Sequence, residues 1–178
     1  MGKKNSLKFN RGFTLVELVV AFGLFVILMS IASGGFVIVL KNQRAATALM
    51  SVSDSVSISL EQMSREIRTG FAFSKNSDTE IQFVNSYNQV IWYRLNENAI
   101  ERGTENVAMQ RTYKKITADD VDIKDFKIAL SGADVLDDYP PRITLSLIAN
   151  SNEPSVKKMD IAPVIVQTTI SSRTAEQE

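Results

Sequence analysis

The 178-residue chain contains no cysteine and no histidine. Without cysteine there is no disulfide staple and no thiol nucleophile. Without histidine there is no imidazole acid–base chemistry, no Ser-His-Asp triad and no supply of the commonest zinc ligand. Proline is scarce: the first of four is Pro140, so nothing before it forces a helix to stop. Lysine plus arginine equal aspartate plus glutamate at 20 each, which gives no electrostatic case for nucleic-acid binding. No Walker loop, nucleophile elbow, Cys/His metal spacing or internal repeat is present. The length suits one domain beyond any anchor.

What the chain has is a long apolar run. From Leu18 to Leu40 lie 23 residues without a charge. As a helix rising 1.5 Å per residue this run is roughly 34 Å long, enough to cross the hydrocarbon of a bilayer. A leader with Lys3, Lys4, Lys8 and Arg11 and no acid precedes it. The cationic excess on that side predicts a cytoplasmic N-terminus, with the remainder of the chain exported. A secretory signal peptide is a poor alternative, because its apolar region is about 7–15 residues and ends at a small-residue cleavage site. A buried core helix is disfavoured by the length of the run. A plain signal anchor explains the length and the leader but leaves Glu17 unexplained. A carboxylate just inside a membrane segment is expensive and is usually kept for a function.

The residues Arg11-Gly12-Phe13-Thr14-Leu15-Val16-Glu17-Leu18 resemble the processing site of type IV prepilins and type II secretion pseudopilins. The resemblance covers roughly residues 8–40. It implies that a prepilin peptidase cuts between Gly12 and Phe13 on the cytoplasmic side and methylates the new amine of Phe13. Glu17 then becomes fifth in the mature chain, and loss of the leader leaves 16 basic against 20 acidic residues, a net charge near −4. It also implies that Glu17 pairs with the terminal amine of a neighbouring subunit. That would make it a registry device, because the charge is costly in lipid alone. Many pilins carry a disulfide near the C-terminus, and this chain departs from that pattern. The segment Leu60–Arg68 is similar to one near the helix end in J-type minor pseudopilins and related minor pilins.

Beyond Leu40 apolar residues recur at Ala45, Leu49, Val52, Val56, Leu60, Met63 and Ile67, the spacing of an amphipathic helix. The pattern predicts one helix from about Thr14 to Thr69, with Glu61 and Arg65 as an i,i+4 pair and Gly70 as its C-terminal cap. Gly23, Gly34 and Gly35 are its weak points or sites of close helix approach. Strands are expected at Glu80–Val84, Gln89–Leu95, Ala99–Arg102, Asn106–Ile116, Val121–Leu130, Ile143–Leu147 and Met159–Ile170. Turns are expected at 85–88 and at Gly103, a bulge near Asp125, and an edge or bulge at Pro163. The segments 74–79, 131–141 and 150–155 read as loops.

The fold class is therefore α+β: a long N-terminal helix, membrane-spanning in its first half, packed on an antiparallel sheet. The organisation expected is a leader at 1–12, an assembly helix at 13–40, its amphipathic continuation at 41–70, an extracytoplasmic β-rich domain at 71–170 and a flexible tail at 171–178. Two acidic groups, one of Asp119, Asp120, Asp122 and Asp125 and the other of Asp134, Asp137 and Asp138, raise the alternative of calcium. Neither has EF-hand spacing, so solvated loops and no bound metal or cofactor are expected. The resemblance implies a minor pilin or pseudopilin. It would be a structural subunit rather than an enzyme, whose partners are prepilin peptidase, other pilin subunits, the inner-membrane assembly platform and the membrane. An adhesin-like or DNA-uptake pilin is the alternative, marked by an exposed basic or aromatic patch on the outer domain. A membrane-tethered enzyme is the third.

Overall fold

The computed structural model describes residues 12–105, 110–133, 139–157 and 161–173. Its backbone is one long helix followed by antiparallel strands. The chain divides into two compact units, Met1–Gln43 and Arg44–Glu178.

The first unit holds the start of helix α1 (Leu15–Arg68, 54 residues). Every described side chain up to Gln43 is exposed, and the apolar window that could cross a membrane has no buried share. Such an exposed apolar surface is suited to lipid or to other helices. The two hydroxyls within it are satisfied locally: Ser30 Oγ donates to the Val26 carbonyl and Ser33 Oγ to the Met29 carbonyl, each at 2.8 Å. Bonding back one turn leaves no orphan donor in an apolar setting. The expected weak points at Gly23, Gly34 and Gly35 do not interrupt the helix.

The second unit begins with the rest of α1. Its buried side is Ala48, Val52, Val56, Ser59, Leu60, Met63 and Ile67: five members of the predicted stripe joined by Ala48 and Ser59, with Ala45 and Leu49 only half-buried at its start. Where one sheet was expected there are two. The first has the order β1-β2-β3-β4-β5 (Phe71–Ser77, Glu80–Val84, Val90–Asn96, Ala99–Glu105, Arg111–Lys115). The second is β6-β7-β8 (Val121–Ser131, Arg142–Ser151, Val164–Ser171). Both are antiparallel meanders. Their inner faces and the helix stripe share one core, including Ile81, Phe83, Ile91 and Tyr93 from the first sheet and Ile123, Phe126, Leu145 and Leu147 from the second. Phe73, Phe83 and Tyr93 stack in succession, with centroids 5.4 and 6.1 Å apart.

The turns follow their residues. Asn85 Oδ1 accepts from the amides of Tyr87 and Gln89 at 3.0 and 2.9 Å, closing the expected turn between β2 and β3. Glu97 and Asn98 both have positive φ between the paired Asn96 and Ala99, the two-residue hairpin geometry that matches strand twist. The bulge near Asp125 is present as a register shift between Ile123 and Asp125.

Four expectations need correction. Residues 74–77 are strand, not loop: they form the polar, exposed end of β1, which carries no alternation because it overhangs the core. Gly103 lies within β4 rather than in a turn. It is needed because a Cβ there would stand 2.7 Å from the Tyr113 ring. Gly70 does not adopt a left-handed cap conformation. Its Cβ would stand 2.6 Å from Phe83, and Ala72 takes the positive φ instead. Asn150 and Ser151 end β7, and Pro154–Lys157 form a short helix α2 within the predicted loop, proline suiting a first helical position. Residues 106–109, 134–138, 158–160 and 174–178, parts of the predicted Asn106–Ile116 and Met159–Ile170 strands, the acidic loop and the tail, lie outside the described residues. The described part of the last strand starts at Val164, directly after Pro163, and forms a sheet edge.

Candidate processing and assembly site

The start of α1 is built by two side chains, those of Thr14 and Glu17. Thr14 is the residue before the first helical position, and Glu17 is the third helical residue. Thr14 Oγ1 accepts the Glu17 amide at 3.2 Å, and a Glu17 carboxylate oxygen accepts the Thr14 amide at 2.9 Å. The Thr14 hydroxyl donates to that same oxygen at 2.9 Å. This is a reciprocal capping box, which satisfies two of the amides that a helix start leaves without partners. The carboxylate also sits at the positive end of the helix dipole. The first main-chain bond of the helix runs from the Leu18 amide to the Thr14 carbonyl at 3.2 Å.

Because the cap fixes the helix start, Gly12 and Phe13 stay outside it. Both are exposed, Phe13 at 87 %, and a Cβ at Gly12 would meet nothing within 4 Å. The bond between them is thus non-helical main chain next to a defined helix start, a form an enzyme can bind in extended conformation. The leader cations Lys3, Lys4, Lys8 and Arg11 lie outside the described residues. Sequence reasoning assigned Glu17 a partner on a neighbouring chain and overlooked its local one. The signal was there: Thr14-x-x-Glu17 has capping-box spacing immediately before an apolar run.

The Asp119–Asp125 group does not converge. Asp119 pairs with Lys115 at 2.8 Å, Asp120 accepts from Ser51 at 2.6 Å, and Asp125 pairs with Lys127 at 3.1 Å. Asp122 is buried and accepts from Asn98 and Lys124. Burial alone would raise its pKa, but these two bonds outweigh it and hold the carboxyl below its ordinary 3.8. Among the described residues no three metal-ligating side chains cluster. The other acidic group, Asp134, Asp137 and Asp138, lies outside them.

The helix is keyed to the first sheet by Glu66. It accepts from Tyr93 Oη at 2.9 Å and from Arg102 Nε at 3.0 Å. Burial, followed by the Glu66 charge, pushes the Tyr93 hydroxyl far above its ordinary range. Burial alone would lower Arg102, but the Glu66 carboxylate outweighs it and the guanidinium is held above its ordinary value.

On the outer face of the first sheet, Arg111 lies over the Trp92 ring at 4.5 Å and Arg94 over Tyr113 at 3.5 Å. Trp92 is 1 % exposed, and Arg94 is also bound by Glu101 at 2.8 Å. Trp92 and Tyr113 are thus each covered by an arginine of the same sheet.

Residues 7–33 match the family model described as the prokaryotic N-terminal methylation motif. This supports a type IV pilin or pseudopilin subunit anchored through its apolar helix. Comparisons with curated proteins and with solved structures found no match.

Proposed function

We propose that this protein is a minor pilin or pseudopilin, a structural subunit of a type IV pilus or a type II secretion pseudopilus. The observation that carries the reading is the methylation motif at 7–33, followed at once by an apolar half-helix whose side chains are all exposed. The J-type class is the subtype we favour, on the segment Leu60–Arg68.

In this reading prepilin peptidase cuts between Gly12 and Phe13 and methylates Phe13. The leader cations hold the precursor's N-terminus on the cytoplasmic side, and the β-rich unit stands outside the cytoplasmic membrane. The subunit waits in the bilayer, engages the assembly platform and leaves the membrane by packing its apolar half-helix against others. Glu17 caps its own helix first. After the cut every subunit begins with a cationic amine, and in the assembly the neighbouring chain's terminus competes with Thr14 for the carboxylate. The protein is a substrate of processing enzymes and has no catalytic role.

An adhesin-like or DNA-uptake role draws no specific support from the Trp92 face, whose rings are covered by their own arginines. The test is fractionation of the full chain from hosts with and without prepilin peptidase. The reading expects a shortened chain in the sheared filament fraction only when the peptidase is present, and a full-length chain in the membrane otherwise. An identical distribution in both hosts overturns it.

A further inference from the structure

The end of α1 lacks the cap that its sequence announces. Gly70 does not take the left-handed conformation that commonly closes a helix at glycine, so the last carbonyls need donors from elsewhere. Two are served nearby: Thr69 Oγ1 donates to the Arg65 carbonyl at 3.2 Å and the Gly70 amide to the Ile67 carbonyl at 3.1 Å. The carbonyl of Arg68, the final helical residue, accepts from the Arg173 amide at 2.9 Å. That donor comes from the other end of the chain.

Ser172 completes the join. Its hydroxyl donates to the Gly70 carbonyl at 2.8 Å, across 102 sequence positions, and its amide donates to the Pro141 carbonyl at 2.9 Å. Ser172 is 4 % exposed, and Gly70 and Pro141 are buried too. Ser172 and Arg173 follow directly on β8. They tie the end of the last strand to three places at once: the last helical residue, the connection into β1 and the residue before β7. Chain ends ordinarily fray unless tied down; here one hydroxyl and two amides do the tying.

We propose that Ser172 and Arg173 are a completion clasp: the end of α1 closes only when the last residues of the chain arrive. A chain cut short of them keeps its helix and its strand pairs but leaves the last helical turn and its junction with β1 open. The order of the elements makes this a matter of timing. The helix is the first element of the chain and β8 the last. The start of α1 is capped by its own neighbours, Thr14 and Glu17, whereas its end waits for residues about a hundred positions later. An open end frays, and local fraying is what exposes main chain to proteases. Arg65 and Arg68 are both exposed on that turn, so an incomplete chain offers trypsin-like enzymes a site that the complete chain withholds. The clasp belongs to the β-rich unit alone and stands apart from the cleavage of the leader.

Two variants at one position separate the clasp from side-chain packing. Arg173→Pro removes the amide that the Arg68 carbonyl accepts, and Arg173→Ala keeps it. Both are made in the full chain and held in detergent, beside Ser172→Ala and two shortened chains that end at Arg173 and at Ser171. Hydrogen exchange is followed by mass spectrometry over residues 62–70, with residues 80–96, the β2–β3 hairpin, as the internal reference. Exchange over 62–70 should rise about tenfold in Arg173→Pro, in Ser172→Ala and in the chain ending at Ser171. It should stay unchanged in Arg173→Ala and in the chain ending at Arg173, and the hairpin should keep its protection throughout. Tryptic cleavage after Arg68 should rise in the same three proteins. The proposal is overturned if Arg173→Pro and Arg173→Ala exchange alike over 62–70, or if the two shortened chains do. It is equally overturned if residues 80–96 quicken as much as 62–70, because these residues would then support the whole unit rather than close one end of it.

Discussion

At the scale of single residues, Glu17 carries two demands that substitution can separate. Glutamine keeps the capping-box geometry and removes the charge. Glu17→Gln should therefore leave helix content unchanged and block recovery of the subunit in filaments. Thr14→Ala should cost about 1 kcal/mol at the helix start while leaving the charge available. Circular dichroism in detergent and a filament-shearing assay read the two effects, and equal behaviour of the two variants would refute the division of roles. Gly103 makes a different demand. A side chain there must displace Tyr113, so Gly103→Val should destabilise the β-rich unit by about 1–3 kcal/mol in denaturant titration. Asp122 sets a pH limit. Its folded pKa lies below 3.8, so its contribution is present above that pH and is lost as the pH falls through the folded value. Tyr93 acts at the other end: with its pKa raised above 10.0, stability falls as the pH climbs beyond that figure. Asp122→Asn should flatten the acid limb of a stability–pH curve and leave the alkaline limb in place.

At the scale of elements, α1 and most strands could be read because their physics is local. The Val52-to-Ile67 stripe, the alternation in Val121–Leu130 and the Asn85 turn each announce themselves within a few residues. What could not be read depends on residues far apart. Gly103 looked like a turn because the ring it accommodates lies on a neighbouring strand. Residues 74–77 looked like a loop because a strand overhanging its core shows no period. The division into two sheets depends on pairings spread over the whole chain. At the candidate site the proposed cleavage pair and Glu17 can be picked out only from the motif residues, and the Thr14–Glu17 cap, whose bonds span three positions, is equally local but was not among the expectations. The long-range Glu66 link to Tyr93 and Arg102 was likewise invisible. Removing it by Glu66→Ala strands a half-buried guanidinium and a buried hydroxyl. Thermal or denaturant unfolding should show a loss of about 2 kcal/mol, whereas loss of the exposed Glu61–Arg65 pair should change little.

At the scale of the whole molecule, one helix serves two environments. Apart from Glu17 in its first turn, its first half presents apolar side chains and self-satisfied hydroxyls up to Leu40, and its second half buries a stripe beneath two sheets. The proposed processing connects them, because a cut after Gly12 would remove the leader and leave the apolar half-helix on the product. The most direct test is mass spectrometry of the N-terminal peptide of the chain recovered from its native host. The expected product lacks residues 1–12 and begins with N-methylated Phe13. A functional product that retains Met1, or that begins at any residue other than Phe13, would contradict the proposed processing.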